Sequence, residues 1–250
     1  MRVTILGAGT AIPATRYSPA GIYVQAADEH LLLDAGAWTL QRLYRMGVTF
    51  LDLDRLLFTH LHPDHCLDLV SILFSMRLPH PSRRKPFFIY GPRGLKRLYE
   101  ALNRAFKGVL APRTYRLNLK EIGTTRIAGA GYVVTTQPMN HSALCYGYRI
   151  ESAGRVVAYS GDTDVCEGIV RLGHEADLLI LECSMPDGAK VVGHLTPSEC
   201  ARIASEAHCK RLVLTHFYPL FKGIDIRRIV RRYFRGPVSL ARDFTTIPHL

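Results

Sequence analysis

The chain has 250 residues, is 48% hydrophobic, and carries 32 Lys and Arg against 21 Asp and Glu, a formal charge of +11. That length buries one sizeable core, so a single domain over residues 1–250 is expected, and no window approaches the roughly 18 uninterrupted apolar residues of a membrane span. The opening "MRVTILGAG" runs straight into strand-like sequence, and the six cysteines (Cys66, Cys145, Cys166, Cys183, Cys200, Cys209) have no close spacing, which points away from a leader, a disulfide framework or a zinc knuckle and toward free thiols in a cytoplasmic protein.

In chain order, "RVTILGAG" and "GIYVQA" are predicted opening strands, "HLLLDAG" a short buried strand ending at Asp34, and "AWTLQRLYRMG" a helix closed by Gly47. "LDRLLFTH" (53–60) reads as another strand. The second half follows the same pattern, with "GYVVTTQPMNH", "CYGYRIES", "RVVAYSGDT", "ADLLILEC" and "KRLVLTHF" as predicted strands and helices between them. "TPSECARIASEAH" has a helix start signal, Thr196 as N-cap, Pro197 in the first turn and Glu199 in the capping-box place. Pattern alone places the chain in the α/β class.

The basic residues gather in "PSRRKP" (81–86), "RGLKRLYEALNRAFK" (93–107) and "IRRIVRRYFR" (226–235). They admit two readings. One is a field that attracts polyanions; the other is an arginine-rich solvated surface, since 25 Arg stand beside 7 Lys.

The chemistry is densest in "FTHLHPDHCLDL" (58–69), where His60, His62, Asp64 and His65 fall within six positions. Strand alternation throws His60 and His62 to one side, and a turn at Pro63 brings Asp64 and His65 from another direction. Imidazoles and a carboxylate so placed suit zinc or a similar divalent ion. His141, Asp162 and His216 each end an apolar run elsewhere, which completes seven donors. Seven exceed one tetrahedral shell, so two ions sharing a carboxylate are expected, roughly 3.5–4 Å apart.

In "LGAGTAIP", "LLLDAG", "THLHPDH", "YSGDT", "LILECS", "GHLTP" and "LTHF", and in their order, the chain resembles the metallo-β-lactamase superfamily, most closely its ribonuclease Z-like branch. The resemblance implies an α/β fold, an αββα sandwich of two mixed sheets flanked by helices. It implies that His60, His62 and His141 hold one ion, that Asp64, His65 and His216 hold the other, and that Asp162 bridges. The cofactors so implied are two divalent metal ions per chain, Zn2+ or Mn2+. Asp34 would orient a ligand from behind. Asp64 would also steer the nucleophilic water, and His194 and Glu182 stand where the family carries a pair thought to serve the departing group. An aspartate rather than a cysteine at 162 argues against β-lactam hydrolysis.

The activity this implies is phosphodiester hydrolysis on a nucleotide-like or small diester. The tRNA-maturing relatives carry a long arm between the third histidine and the bridging aspartate, whereas His141 and Asp162 are 21 positions apart here. That compactness resembles armless members such as the cyclic-phosphate phosphodiesterase of phosphonate degradation. Alternatives are tRNA 3′ processing and a lactonase or thioesterase of the same fold. The expected partner is an anionic phosphodiester, with RNA and a second copy of the chain as further candidates and no membrane.

Overall fold

The computed structural model describes residues 1–247, so the last three positions of the expected 1–250 domain lie outside the described residues. The first sheet contains β1 (Arg2–Gly7), β2 (Gly21–Ala26), β3 (Glu29–Leu33), β4 (Arg55–Leu57), β5 (Phe87–Gly91), β6 (Leu117–Glu121) and the late β14 (Thr245–Ile247). The second contains β7 (Arg126–Gly129), β8 (Tyr132–Met139), β9 (Cys145–Ser152), β10 (Arg155–Tyr159), β11 (Leu178–Glu182), β12 (Leu212–Thr215) and β13 (Val238–Leu240). Both are mixed. Spatial order is β14-β1-β2-β3-β4-β5-β6 in one and β13-β12-β11-β10-β9-β8-β7 in the other.

Side-chain alternation sets the layers. Along β11, Leu178 and Ile180 join Val3, Ile5, Val24, Leu31 and Leu33 of the first sheet in a core between the sheets. The intervening Leu179 and Leu181 turn outward onto α5 (Glu167–Gly173), α6 (Pro197–Glu206) and α7 (Ile226–Val230). On the first sheet, Leu6, Leu32 and Leu56 pack against α1 (Thr39–Arg45), α3 (Leu69–Arg77) and α4 (Leu95–Ala105). Strands buried on both faces read as continuous apolar runs. Each fully buried aliphatic side chain contributes about 1.5–3 kcal/mol. The result is the expected helix–sheet–sheet–helix order.

Two local readings change. The 53–60 segment is ladder only over Arg55–Leu57, because the Thr59 N–H donates to Asp34 Oδ1 at 2.8 Å instead of to a neighbouring strand. The Pro63 turn is the first turn of a short helix, α2 (Pro63–Cys66), with extended His62 as its N-cap. Helix α6 starts at its predicted signal, where Glu199 accepts from the Thr196 N–H at 2.9 Å. The "PSRRKP" cluster is largely structural. Arg83 is buried and donates to the carbonyls of Phe50, Leu51, Leu53 and Pro86, and Lys85 pairs with Asp54 at 2.8 Å.

Strands β8 and β10 both run antiparallel to β9, and β11 and β12 run parallel to β10. Residues that follow β8, β10, β11 and β12 therefore gather at one edge of the second sheet, facing the loop after β4.

Candidate metal centre

All seven donors read from the sequence meet at that edge. The ligand atoms of His60, His62 and His141 lie within 4.8 Å of one another, as do those of Asp64, His65 and His216, and those of His60, His65 and Asp162. His60 and His65 are buried, and Asp162 is 3% exposed.

Four of the five inner imidazole nitrogens are bare because the outer one is occupied. His65 Nδ1 donates to Asp34 Oδ2 at 2.8 Å. His141 Nδ1 lies 2.9 Å from the Gly193 carbonyl, which can only accept, so that nitrogen carries the proton. Thr59 Oγ1 donates to Asp34 and so accepts from His60 Nδ1 at 3.0 Å. The Ser184 hydroxyl donates to Glu182 Oε2 and so accepts from His216 Nδ1 at 2.9 Å. Four lone pairs thus point inward, each set by a hydrogen bond behind the ring.

His60 Nε2 at 3.1 Å and His141 Nε2 at 3.3 Å both close on His62 Nδ1, and two of those lone pairs meet head on, His65 Nε2 lying 3.1 Å from His216 Nε2. Two bare nitrogens at that distance repel unless a cation lies between them. Asp162 Oδ1, 3.4 Å from His65 Nε2 and 3.5 Å from His216 Nε2, has no hydrogen-bond partner among the described residues. A buried carboxylate oxygen without a donor is costly. The donor set and the orphaned oxygen fit divalent metal.

Burial pushes His60 down to about 2. Burial, then His141, also lowers His62. Burial works to raise the Asp64 carboxyl, but the close approach of His216 Nε2 at 3.5 Å and of His65 Nε2 at 4.0 Å outweighs it and holds the group well below its ordinary range. The Ala11 N–H, 3.1 Å from Asp64 Oδ2, fixes that carboxylate further.

Backbone demands are met by residue choice. Asp162 follows Gly161, whose φ of 62° and missing Cβ, which would fall 2.6 Å from Thr59 Cβ, admit only glycine. The opening "LLLDAG" signal has the same logic. A Cβ on Gly36 would sit 2.2 Å from the Asp64 carbonyl.

His194 and Glu182 lie at the rim of this cluster. Glu182 is fully buried at the end of β11 and accepts from the Thr163 N–H at 2.8 Å, from Ser184 and from His194 Nδ1 at 3.0 Å. Burial pulls the His194 imidazole down, but the Glu182 hydrogen bond outweighs it and holds the group above its ordinary value. His194 Nδ1 stands 4.0 Å from Asp162 Oδ2. Sequence reasoning missed Thr59, Ser184 and the Gly193 carbonyl. Ser184 sits inside "LILECS", two positions past Glu182, which was its only signal.

The family profile of the beta-lactamase superfamily domain matches residues 29–217, and the chain belongs to that superfamily. It is a metallo-hydrolase of the metallo-β-lactamase fold. Ribonuclease Z of Methanothermobacter thermautotrophicus is 27% identical over 300 residues, covering 99% of this chain and 96% of its own. The probable metallo-hydrolase YhfI of Bacillus subtilis is 28% identical over 253 residues, covering 97% and 98%, and its crystal structure gives a TM-score of 0.83 at 25% identity over 98% of each chain. The short form of human tRNase Z gives a TM-score of 0.78 at 28% identity over 99% of this chain and 98% of its own. An alignment 300 long over 99% of a chain of 250 forces about 50 gap positions into this chain, whereas 253 over 97% of it needs about ten.

Proposed function

We propose that the protein is a dinuclear metal-dependent phosphodiesterase acting on a small or nucleotide-like diester. The observation that carries this reading is the set of inward lone pairs, each fixed from behind, around the unpartnered Asp162 Oδ1. His60, His62 and His141 would hold one ion, Asp64, His65 and His216 the other, with Asp162 shared. Histidine and carboxylate donors suit zinc, with manganese as the alternative. When bound, two such ions supply a low-pKa water and neutralise charge on a phosphoryl oxygen.

The chain's own residues do the rest. Asp64 accepts a hydrogen bond from the attacking water and so aims it. His194 donates its proton to the leaving oxygen, and Glu182 holds the ring in place for it. Asp34 acts through His65. Asp34→Asn sets an amide N–H2 among donors and should weaken metal affinity about 10- to 100-fold, read by competition with a chromogenic chelator; unchanged affinity would remove Asp34 from this role. A reducing, cytoplasmic setting is part of the proposal, supported by six free cysteines, five of them buried. No helix of the described residues is long and apolar enough to cross a membrane.

RNA 3′ processing is the second reading. The ribonuclease Z relatives favour it; a cleft of about 430 Å3 lined by Arg227, Arg231 and Arg235 lies where β13 begins, at the end of the second sheet away from His216. No carboxylate pairs with these arginines among the described residues. Bis-p-nitrophenyl phosphate, a cyclic nucleotide, a precursor tRNA and an acyl-homoserine lactone assayed side by side separate the readings. Metal-dependent turnover of the diesters, with precursor tRNA a poor substrate, is expected. Accurate cleavage at the discriminator base, faster than on simple diesters, would promote the second reading, and preferred lactone turnover would displace both.

A further inference from the structure

We propose that the cavity beside the metal centre seats a planar aromatic group of the substrate, a nucleobase, so that the diester carries a nucleoside on its non-leaving side. The proposal rests on the phosphodiesterase reading and deepens it. The cavity is about 270 Å3 and is lined by Tyr17, Phe217, Tyr218, Phe221 and Ile226, with Lys222 among its lining residues. Sites for drug-sized ligands start near ~300 Å3, so this volume suits a single ring system.

Tyr218 is the wall common to the cavity and the metal centre. Its ring centroid lies 6.1 Å from those of both His194 and His216. His216 adopts a left-handed backbone, φ 59°, and the next residue is tied back by Phe217 N–H donating to the Ala8 carbonyl at 2.9 Å. One short segment therefore places a metal-centre imidazole and two aromatic rings of the neighbouring cavity. A group bound in the cavity is then one ring's width from the reacting centre.

The aromatic set is braced for stacking. Phe217 is buried and meets Tyr17 at 5.8 Å and 53° and Phe221 at 5.7 Å and 86°. It acts as a hub, and Tyr17, Tyr218 and Phe221 are only half-buried around it. Successive bases stack on such faces in nucleic-acid-binding proteins without sequence preference. Lys222 is exposed, and no carboxylate pairs with it among the described residues. It supplies a cation for a base carbonyl or ring nitrogen, which an aliphatic group would leave unused. A purely aliphatic occupant would also not call for three aromatic walls.

The test compares thymidine 5′-(p-nitrophenyl phosphate) with methyl p-nitrophenyl phosphate, two diesters with one leaving group, and measures binding of uncharged thymidine by ligand-observed NMR. Wild-type protein should bind thymidine and prefer the nucleoside ester in kcat/KM. Phe221→Leu keeps apolar volume and removes the ring; Lys222→Ala touches only the exposed lysine. Phe221→Leu should weaken thymidine binding and raise KM for the nucleoside ester by roughly 5- to 150-fold, leaving the methyl ester unchanged. No thymidine binding, no preference between the esters, or equal loss on both in a variant with wild-type melting would overturn the proposal. Thymidine binding that Phe221→Leu abolishes, with neither ester hydrolysed, would sustain the cavity and sink the phosphodiesterase reading instead.

Discussion

Asp162→Ala should reduce bound metal from about two ions per chain to one or none and cut diester turnover by more than about 100-fold. The geometry leaves little room for a milder outcome. Asp162 approaches His60, His65, His141 and His216 at 3.4–4.0 Å and is the carboxylate common to both candidate ligand sets. Stability gives a readout independent of turnover. A ligand held at 1,000 times its dissociation constant stabilises the native state by about 4 kcal/mol. In a chain of this size that amounts to roughly 8–16 °C in Tm. Wild-type protein should therefore melt that much lower in chelator, and Asp162→Ala should lose most of the gap. Full metal content in Asp162→Ala, by elemental analysis, would refute the shared-carboxylate role.

The second large effect is expected from His194→Ala. This variant should keep both metals and much of its activity on a p-nitrophenyl diester, whose leaving group departs without a proton. On an alkyl or ribose diester it should lose about 10²- to 10⁴-fold, the usual worth of general acid assistance. The geometry supports such a division. His194 is anchored through Nδ1 by the fully buried Glu182, which leaves Nε2 as the ring's free end. Glu182→Gln should show the same dependence on leaving group to a smaller degree, since Glu182 acts by positioning. Equal loss on both substrates, with metals and fold intact, would replace the leaving-group role with a general part in phosphoryl binding.

The donors were legible because their residue types are rare at the ends of apolar runs. His60, His62, Asp64 and His65 announce themselves by spacing, and His141, Asp162 and His216 by position. The residues behind them were not legible. Thr59 and Ser184 are ordinary in sequence, and only the fold brings Ser184 Oγ to His216 Nδ1 across 32 positions. The end of β4 is hidden in the sequence because an extended loop alternates like a strand. What stops the ladder is the buried Asp34 carboxylate, which takes the Thr59 N–H. Charge misleads in the same way. Arg83 reads as surface in "PSRRKP", yet its guanidinium satisfies four backbone carbonyls indoors. The strand Phe87–Gly91 and the helix Leu69–Arg77 fall in stretches to which the sequence pattern assigns no element.

The placement of the donors also bears on the order of folding. His60, His62, Asp64 and His65 follow a strand of the first sheet, while His141, Asp162 and His216 follow strands of the second. Each proposed ligand set draws on both. An isolated first-sheet half offers two donors per ion, and the second half offers one beside the shared carboxylate, too few in either case for tight capture. Tight binding must wait until the two sheets have docked through their common core, a contact of high sequence separation that forms slowly. Metal added at the start of refolding would then leave the folding rate unchanged and act on the unfolding rate alone, locking a docking step that the apolar faces of the sheets complete without it.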